Sequence, residues 1–241
     1  MKILILGHTG MLGHMVHKYL TSKSLTVETT SNRWPSQEFK EFVKDYDGDF
    51  IINCIGAIHQ KTNNFDVNWE LPIFLDFYSK CKIIHPGTDC EMDDDNYYGT
   101  SKRIAKDFIV NTSKNTKSIK TSIIGPELKG NASLMEWFLS NNDESTVSGY
   151  SKYYWNGNTT LTWSEFAYNV IKNWDDVKKE TILTSECISK KEILDSINIV
   201  FNRKINIVEK NEISVNKCLD GGIITPHIKE QLFKLKDFYY D

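Results

Sequence analysis

The apolar run Lys2–Leu6 breaks directly into three glycines at a spacing of three, Gly7, Gly10 and Gly13, and these open a helical pattern carried by Met11, Met15 and Leu20. A chain that turns this tightly from strand to helix, without a Cβ at its points of closest approach, can bring a pyrophosphate against the positive end of a helix. The competing reading is that the glycines only make the turn. Their position between a strand and a helix favours dinucleotide binding, and Thr9, Met11 and Leu12 complete the candidate cofactor loop.

The same alternation continues for more than a hundred residues. Lys2–Leu6, Leu25–Thr30, Phe50–Ile55, Lys82–His85 and Ser118–Ile124 have strand length and apolar content, while 11–22, 36–46, 65–80 and 97–111 carry helical patterns. That rhythm predicts a parallel sheet covered by helices on both faces, with ligands at the carboxyl ends of its strands. After Pro126 the chain becomes rich in Gly, Asn, Ser and aromatic residues, with one short helix expected at 132–140. Two capping boxes, Thr162 to Glu165 and Ser189 to Glu192, announce further helices. The predicted division is 1–125 and 126–241, the second part being a smaller lobe packed on the first and partly interleaved with it.

Composition removes several function classes. Lys and Arg number 29 against 32 Asp and Glu, giving a net charge of −3 with no basic block, so a nucleic acid polymer is not the expected partner. No apolar stretch approaches the ~20 residues that cross a bilayer, so no membrane partner is expected. The five cysteines (Cys54, Cys81, Cys90, Cys187 and Cys218) are odd in number, scattered and without a C-x-x-C pair, a pattern that suits a reducing, cytoplasmic setting. His14 and His17 share a helical face, but no third ligand is in view and no metal site is assigned. Asp93, Asp94 and Asp95 read as a solvated turn that favours the amino end of the next helix.

The second strand should end near the adenine ribose. An acidic side chain there would suit NAD, and an arginine would suit the 2′-phosphate of NADP. Here Asn32 and Arg33 follow the strand, which selects NADPH, with NADH as the alternative because Glu28 lies just upstream. Further along, Tyr98 and Lys102 stand one helical turn apart as Y-x-x-x-K, so the ammonium can act on the phenol and hold the nicotinamide ribose. Thr88 follows the fourth strand and can hydrogen-bond the carbonyl oxygen that Tyr98 would protonate. Negative charge develops on that oxygen as a hydride reaches a ketone, so a hydroxyl pair and a cation are what the chemistry needs. His59 and Gln60, just beyond the third strand, could touch nicotinamide or substrate. In the aromatic set of Trp137, Tyr150, Tyr153, Tyr154, Trp155 and Trp163, one or two members could stack on a base or sugar, although large aromatics more often fill core.

These motifs resemble the extended short-chain dehydrogenase/reductases, in particular the dTDP-4-dehydrorhamnose reductase-like group of sugar-nucleotide enzymes. The similar stretches are GHTGMLGHMV, FIINCIGAI, VNWELP, GTDC, YYGTSK, TSIIGPEL, LMEWFLS and GYSKYYWNGNTTLTWSEFA, with ISKKEIL extending the likeness to about residue 194. The resemblance implies an α/β, Rossmann-type doubly wound parallel sheet with a small C-terminal α+β substrate lobe. It implies an NAD(P)-dependent oxidoreductase with Thr88, Tyr98 and Lys102 as its catalytic residues. The glycines would bind the cofactor, and Asn53, Cys54, Ile55 and Gly56 would line its path. Asp89, Ile124, Glu127, Trp137, Tyr150 and Trp155, with His59, become the substrate-side candidates.

The activity implied is NADPH-dependent reduction of a 4-keto-6-deoxy sugar nucleotide, serving deoxysugar and polysaccharide biosynthesis, in a protein that pairs as a homodimer through helices on the flank of the sheet. The sequence departs from that group in three places. Nine residues separate Thr88 from Tyr98 where a dozen or more are usual, Gly87 replaces a common Ser, and Lys120 replaces a common Arg. Two rival readings stay open: an epimerase or dehydratase that retains NAD, and a non-catalytic NADP-binding protein.

Overall fold

The structure is a computed structural model that describes residues 1–93 and 96–240. Strands and helices alternate through its first part: β1 (Lys2–Leu6), α1 (Met11–Ser22), β2 (Thr26–Thr29), α2 (Gln37–Asp45), β3 (Phe50–Asn53), α3 (Val67–Tyr78), β4 (Lys82–Gly87), α4 (Tyr97–Asn111) and β5 (Thr116–Lys120). A short 3-10 turn, Asp89–Met92, lies between β4 and α4. The chain continues through β6 (Ile123–Ile124), α5 (Leu134–Leu139), β7 (Thr146–Tyr150), β8 (Tyr153–Trp155), β9 (Asn158–Thr159) and α6 (Thr160–Lys172). It ends with β10 (Glu180–Thr184), β11 (Ile188–Ser189), α7 (Lys190–Val200), β12 (Asn206–Lys210), β13 (Val215–Asn216), β14 (Ile223–Ile224) and α8 (Ile228–Tyr239).

These elements form two compact units, Met1–Lys120 with Ser164–Thr181, and Thr121–Trp163 with Ile182–Asp241. The chain passes between the two units after residues 120, 163 and 181, so that residues 164–181 belong to the first.

The first unit is built on strands in the order β2-β1-β3-β4-β5, followed by the start of β10. Each neighbouring pair from β2 to β5 is parallel, and Ser118 of β5 donates to the Lys179 carbonyl just before β10 at 2.7 Å. Ile3, Leu4, Ile5 and Leu6 of β1 and Ile51 and Ile52 of β3 are fully buried, because strands of a parallel sheet are covered on both faces and need apolar side chains at every position. β2 is the edge, and its Thr-Val-Glu-Thr sequence is correspondingly polar. On α2, Phe39 and Val43 sit one turn apart and pack with Leu4, Leu6, Ile51, Leu71 and Leu75, while Ser36 caps the helix by accepting from the Phe39 amide at 3.2 Å. The strand order reverses at β1 and β3, so the carboxyl ends of these two strands open a crevice where ligands of such sheets bind.

In the second unit β7 pairs with β12 in parallel, β8 lies between β11 and β13, and β6 pairs with β9. The end of β10 is joined by β14. The predicted capping box at Ser189 is present: Ser189 Oγ accepts from the Glu192 amide at 3.2 Å, and Glu192 Oε2 accepts from the Ser189 amide at 2.7 Å. The one at Thr162 is not a cap. α6 starts at Thr160, and Thr159 Oγ1 accepts from the Thr162 amide at 3.2 Å, so the helix begins earlier than the motif suggests. Cys187 and Cys218 form a disulfide across 31 residues, with Cα atoms 5.9 Å apart. That departs from the reduced thiols suggested by the scattered spacing. Among the described residues no helix is long and apolar enough to cross a membrane. Asp94 and Asp95 of the acidic run lie outside the described residues.

Candidate functional site

The glycine loop closes on itself by backbone contacts. Gly7 has φ +76°, a conformation that L side chains rarely adopt, and a Cβ there would lie 2.9 Å from the carbonyl of Cys54. The Gly10 amide donates to the Gly7 carbonyl at 2.9 Å, and a Cβ on Gly13 would lie only 2.1 Å from that oxygen. Gly7 and Gly13 are therefore needed to make the turn. Gly10 is different: a Cβ there meets nothing nearer than 3.4 Å, so its open side is free for a ligand at the start of α1. Thr9 is exposed and Met11 half-buried, whereas Leu12 is buried core, so what Leu12 offers to the loop is its backbone. His14 is also buried and its Nδ1 lies 2.8 Å from the Gly10 carbonyl, a packing histidine. Beyond β2, Asn32 is half-buried and Arg33 is exposed.

The second side of the crevice follows β3. Asn53 is fully buried. Its Oδ1 accepts from the Ile55 amide at 3.1 Å and its Nδ2 lies 3.2 Å from His85 Nδ1 on β4, so its side chain braces the strand end. Cys54 and Ile55 flank Gly7, and burial pushes the Cys54 thiol up, leaving it protonated. Gly56 is exposed, and a Cβ on it would lie 3.3 Å from both Asn68 Oδ1 and Lys102 Nζ. Asn68, on α3, accepts from the Ala57 amide at 2.8 Å and donates to Ser101 Oγ of α4 at 3.0 Å, tying this loop to the helix that carries Lys102.

Thr88, Tyr98 and Lys102 meet at the carboxyl end of β4. Thr88 caps the 3-10 turn with Oγ1, which accepts from the Cys90 amide at 3.3 Å and donates to Asp89 Oδ1 at 3.0 Å. Asp89 is buried, its carboxylate turned onto Thr88. α4 begins at the next turn, where Asn96 caps the Gly99 amide at 2.7 Å. Lys102 is 8% exposed and its Nζ stands 6.0 Å from the centre of the Tyr98 ring. His59 and Phe65 pack on that ring at 5.2 and 5.6 Å between centroids, so His59 is brought to Tyr98.

The electrostatics suit a proton donor. Burial pushes the Tyr98 phenol well above its ordinary value, the negative charges near Cys90 and Asp89 add to this, and a hydrogen bond with Thr88 pulls the other way. Burial prevails, and the phenol remains protonated. Lys102 itself is pushed down by burial, while the carboxylate of Glu91 favours its charged form.

The remaining substrate-side candidates belong to the second unit. Ile124 is buried, and so is Trp155, at 6% exposed and close-packed on Gly157. Both pack into the core of that unit, and an indole filling core has the same sequence signature as one stacking on a base. Glu127 accepts from the Ser133 amide at 2.8 Å through Oε2, Trp137 on α5 is 39% exposed, and Tyr150 ends β7 half-buried.

No protein-family model and no curated protein matches the sequence. Solved structures do match it along its whole length. The dTDP-4-dehydrorhamnose reductase of Bacillus anthracis, in complex with NADP, has a TM-score of 0.78 at 14% identity, covering 98% of this chain and 99% of that one. A dTDP-4-dehydrorhamnose reductase from Clostridium acetobutylicum has a TM-score of 0.75 at 17% identity over all of both chains. This is the fold of the dTDP-4-dehydrorhamnose reductases. It is shared more widely, since UDP-N-acetylglucosamine 4-epimerase from Bacillus cereus has a TM-score of 0.74 at 17% identity, over 100% of this chain and 96% of that one.

Within this dTDP-4-dehydrorhamnose reductase fold, sequence reading missed the partners of the site more than its principals. His85 is one such partner. It stands in the run Lys-Ile-Ile-His-Pro-Gly, where a lone histidine inside a buried strand is the only signal. Burial, helped by the charge of Lys102, pushes its pKa down to about 3. Between that value and the ordinary ~6.5 the unfolded chain binds a proton that the folded chain refuses, so stability falls as pH falls through this window. The full difference is about 5 kcal/mol at ~1.4 kcal/mol per pKa unit. His85→Gln, which keeps an acceptor for Asn53, should flatten the pH 6.5-to-4 decline measured by urea unfolding; equal slopes in variant and wild type would clear His85 of this role.

Proposed function

We propose that this protein is an NADPH-dependent reductase of a 4-keto-6-deoxy sugar nucleotide. The observation that carries the reading is the meeting of Thr88, Tyr98 and Lys102 beside a strand end, in the same unit as a glycine loop with one open glycine. A pyrophosphate suits the cradle that a Cβ on Gly10 would fill, and the exposed Arg33 suits a 2′-phosphate. Glu28, the acidic residue that could favour NAD, is 3.5 Å from Lys2 and engaged there. The nicotinamide, when bound, supplies a hydride to the keto carbon. Tyr98 gives its phenolic proton to the carbonyl oxygen, Thr88 donates a hydrogen bond to that oxygen once its hydroxyl turns from Asp89, and Lys102 holds the ribose and offsets the charge left on Tyr98. Ketone, hydride and proton together account for the alcohol.

The epimerase reading draws support from the fold shared with the Bacillus cereus enzyme. Its dehydratase form needs a free carboxylate next to Thr88, and Glu91 is not free: Oε1 accepts from the Thr88 amide at 3.0 Å and Oε2 pairs with Lys120 at 2.7 Å. Pairing of two copies, part of the same proposal, would cover the exposed Phe77, Tyr78 and Tyr97 of α3 and α4.

The test is oxidation of NADPH and NADH, followed by loss of reduced-nicotinamide absorbance, with dTDP-, UDP- and GDP-linked 4-keto-6-deoxy sugars. Turnover with one of them and a preference for NADPH are expected. Arg33→Ala should weaken NADPH binding about tenfold, the loss of one charge-assisted contact, and leave NADH binding unchanged. Equal losses for both cofactors would remove Arg33 from the phosphate site, and NAD carried tightly through purification would favour the epimerase.

A further inference from the structure

At the base of the catalytic turn lies a buried ion pair that the proposed chemistry does not use. The side chains of Glu91 and Lys120 are only 3% and 10% exposed, with Oε2 and Nζ 2.7 Å apart. The other carboxylate oxygen, Oε1, accepts from the backbone amide of Thr88 at 3.0 Å. Lys120 ends β5 and is the register partner of Gly87, which ends β4, so the ammonium is delivered by the sheet to the spot below the turn. Gly87 makes the arrangement possible. A Cβ at that position would stand 3.0 Å from Glu91 Oε1, from Lys120 Cβ and from Ser118 Oγ.

Burying two charges costs several kcal/mol each, and a buried pair is often no more stabilising than apolar residues of the same size. Stability alone is therefore a weak reason for this pair. Position is a better one. The turn Asp89–Met92 follows β4 directly, and Thr88 at its head carries the hydroxyl that must meet a carbonyl. We propose that the Glu91–Lys120 pair is a positioning device, gripping the Thr88 amide from below so that the Thr88 hydroxyl is held beside Tyr98 for the incoming ketone. The inference rests on the reductase reading for its catalytic consequence but not for the grip itself. The same carboxylate favours the charged form of Lys102 and opposes ionisation of Tyr98, so its charge acts on the site in the direction that a reduction requires.

The test uses the full chain. Glu91→Gln leaves the Lys120 charge buried without its partner and can unfold the turn, so the decisive variant is the double change Glu91→Gln with Lys120→Met, which keeps an acceptor for the Thr88 amide and removes both charges. Amide hydrogen exchange over residues 84–93 reads the grip without any substrate, and steady-state kinetics read its consequence. Expected for the double variant are exchange at least about fivefold faster in that segment, NADPH affinity within about twofold of wild type, and kcat down about 10- to 100-fold with KM little changed, the pattern of a lost transition-state contact. Lys120→Arg, which restores a cation, should recover most of the kcat lost in Lys120→Met. Unaltered exchange in the double variant overturns the proposal whatever the turnover, and so does faster exchange with wild-type kcat. Should wild type reduce no ketone while the exchange responds as expected, the grip stands and the proposed reaction falls.

Discussion

Tyr98→Phe removes turnover and spares cofactor binding. The expected loss in kcat is about 10²- to 10⁴-fold, the range for a positioned general acid, with NADPH affinity changed by less than about threefold. The argument rests on what phenylalanine keeps. Its ring still packs against His59 and Phe65, and Lys102 still stands over it, so the local structure has no reason to move. Only the proton is gone. Because burial holds the phenol above its ordinary ~10, the wild-type donor is loaded throughout the neutral range, and ionisation of Tyr98 limits reduction only in strong alkali. Lys102 is shifted the other way and loses its charge first. A basic limb below the ordinary lysine range in the pH profile of wild-type kcat would thus report Lys102. Turnover retained by the phenylalanine variant would sink Tyr98 as the acid.

What could be read in advance follows from which physical requirement each residue meets. The glycine loop was legible because a missing Cβ is itself the requirement: Gly7 and Gly13 stand where any side chain would strike backbone. Tyr98 and Lys102 were legible because one helical turn brings them together whatever the rest of the chain does, and α4 spans Tyr97–Asn111 as the periodicity predicts. Contacts made by the fold were not. Asn53 meets His85 across 32 residues and Asn68 meets Ser101 across 33, and neither separation leaves a local pattern. Glu91 is not among the site candidates that the sequence offers. Its pairing with Lys120 depends on β4 and β5 being neighbours in register, which spacing along the chain does not encode. The strand expected over 118–124 shows the same limit. Its β-branched residues run on from Ile119 through Thr121 to Ile123 and Ile124, yet β5 ends at Lys120, paired with β4, and β6 begins at Ile123, paired with β9.

The three glycines separate shape from binding, which makes them the sharpest test of the cofactor site. In Gly13→Ala the new Cβ would be forced to within 2.1 Å of the Gly7 carbonyl oxygen and 2.7 Å of its carbon, both backbone atoms. Gly7 is already at φ +76°, with Cys54 and Ile55 filling the side where a Cβ would stand. The loop must open, breaking the 2.9 Å bond from the Gly10 amide. A stability loss of about 1–3 kcal/mol is expected from the overpacking, together with a fall in NADPH affinity of at least ~100-fold as the amides lose their common focus. Gly10→Ala is the control that removes the ambiguity between an unfolded loop and a blocked one. Its Cβ meets the Gly7 oxygen at an ordinary 3.4 Å, so the thermal midpoint should stay near that of wild type while the added methyl intrudes on the diphosphate. Calorimetric titration of both variants with NADPH decides the matter: weakened binding in a stable Gly10→Ala protein locates the diphosphate over Gly10, and wild-type affinity in that variant would mean that the open side of the loop faces no ligand.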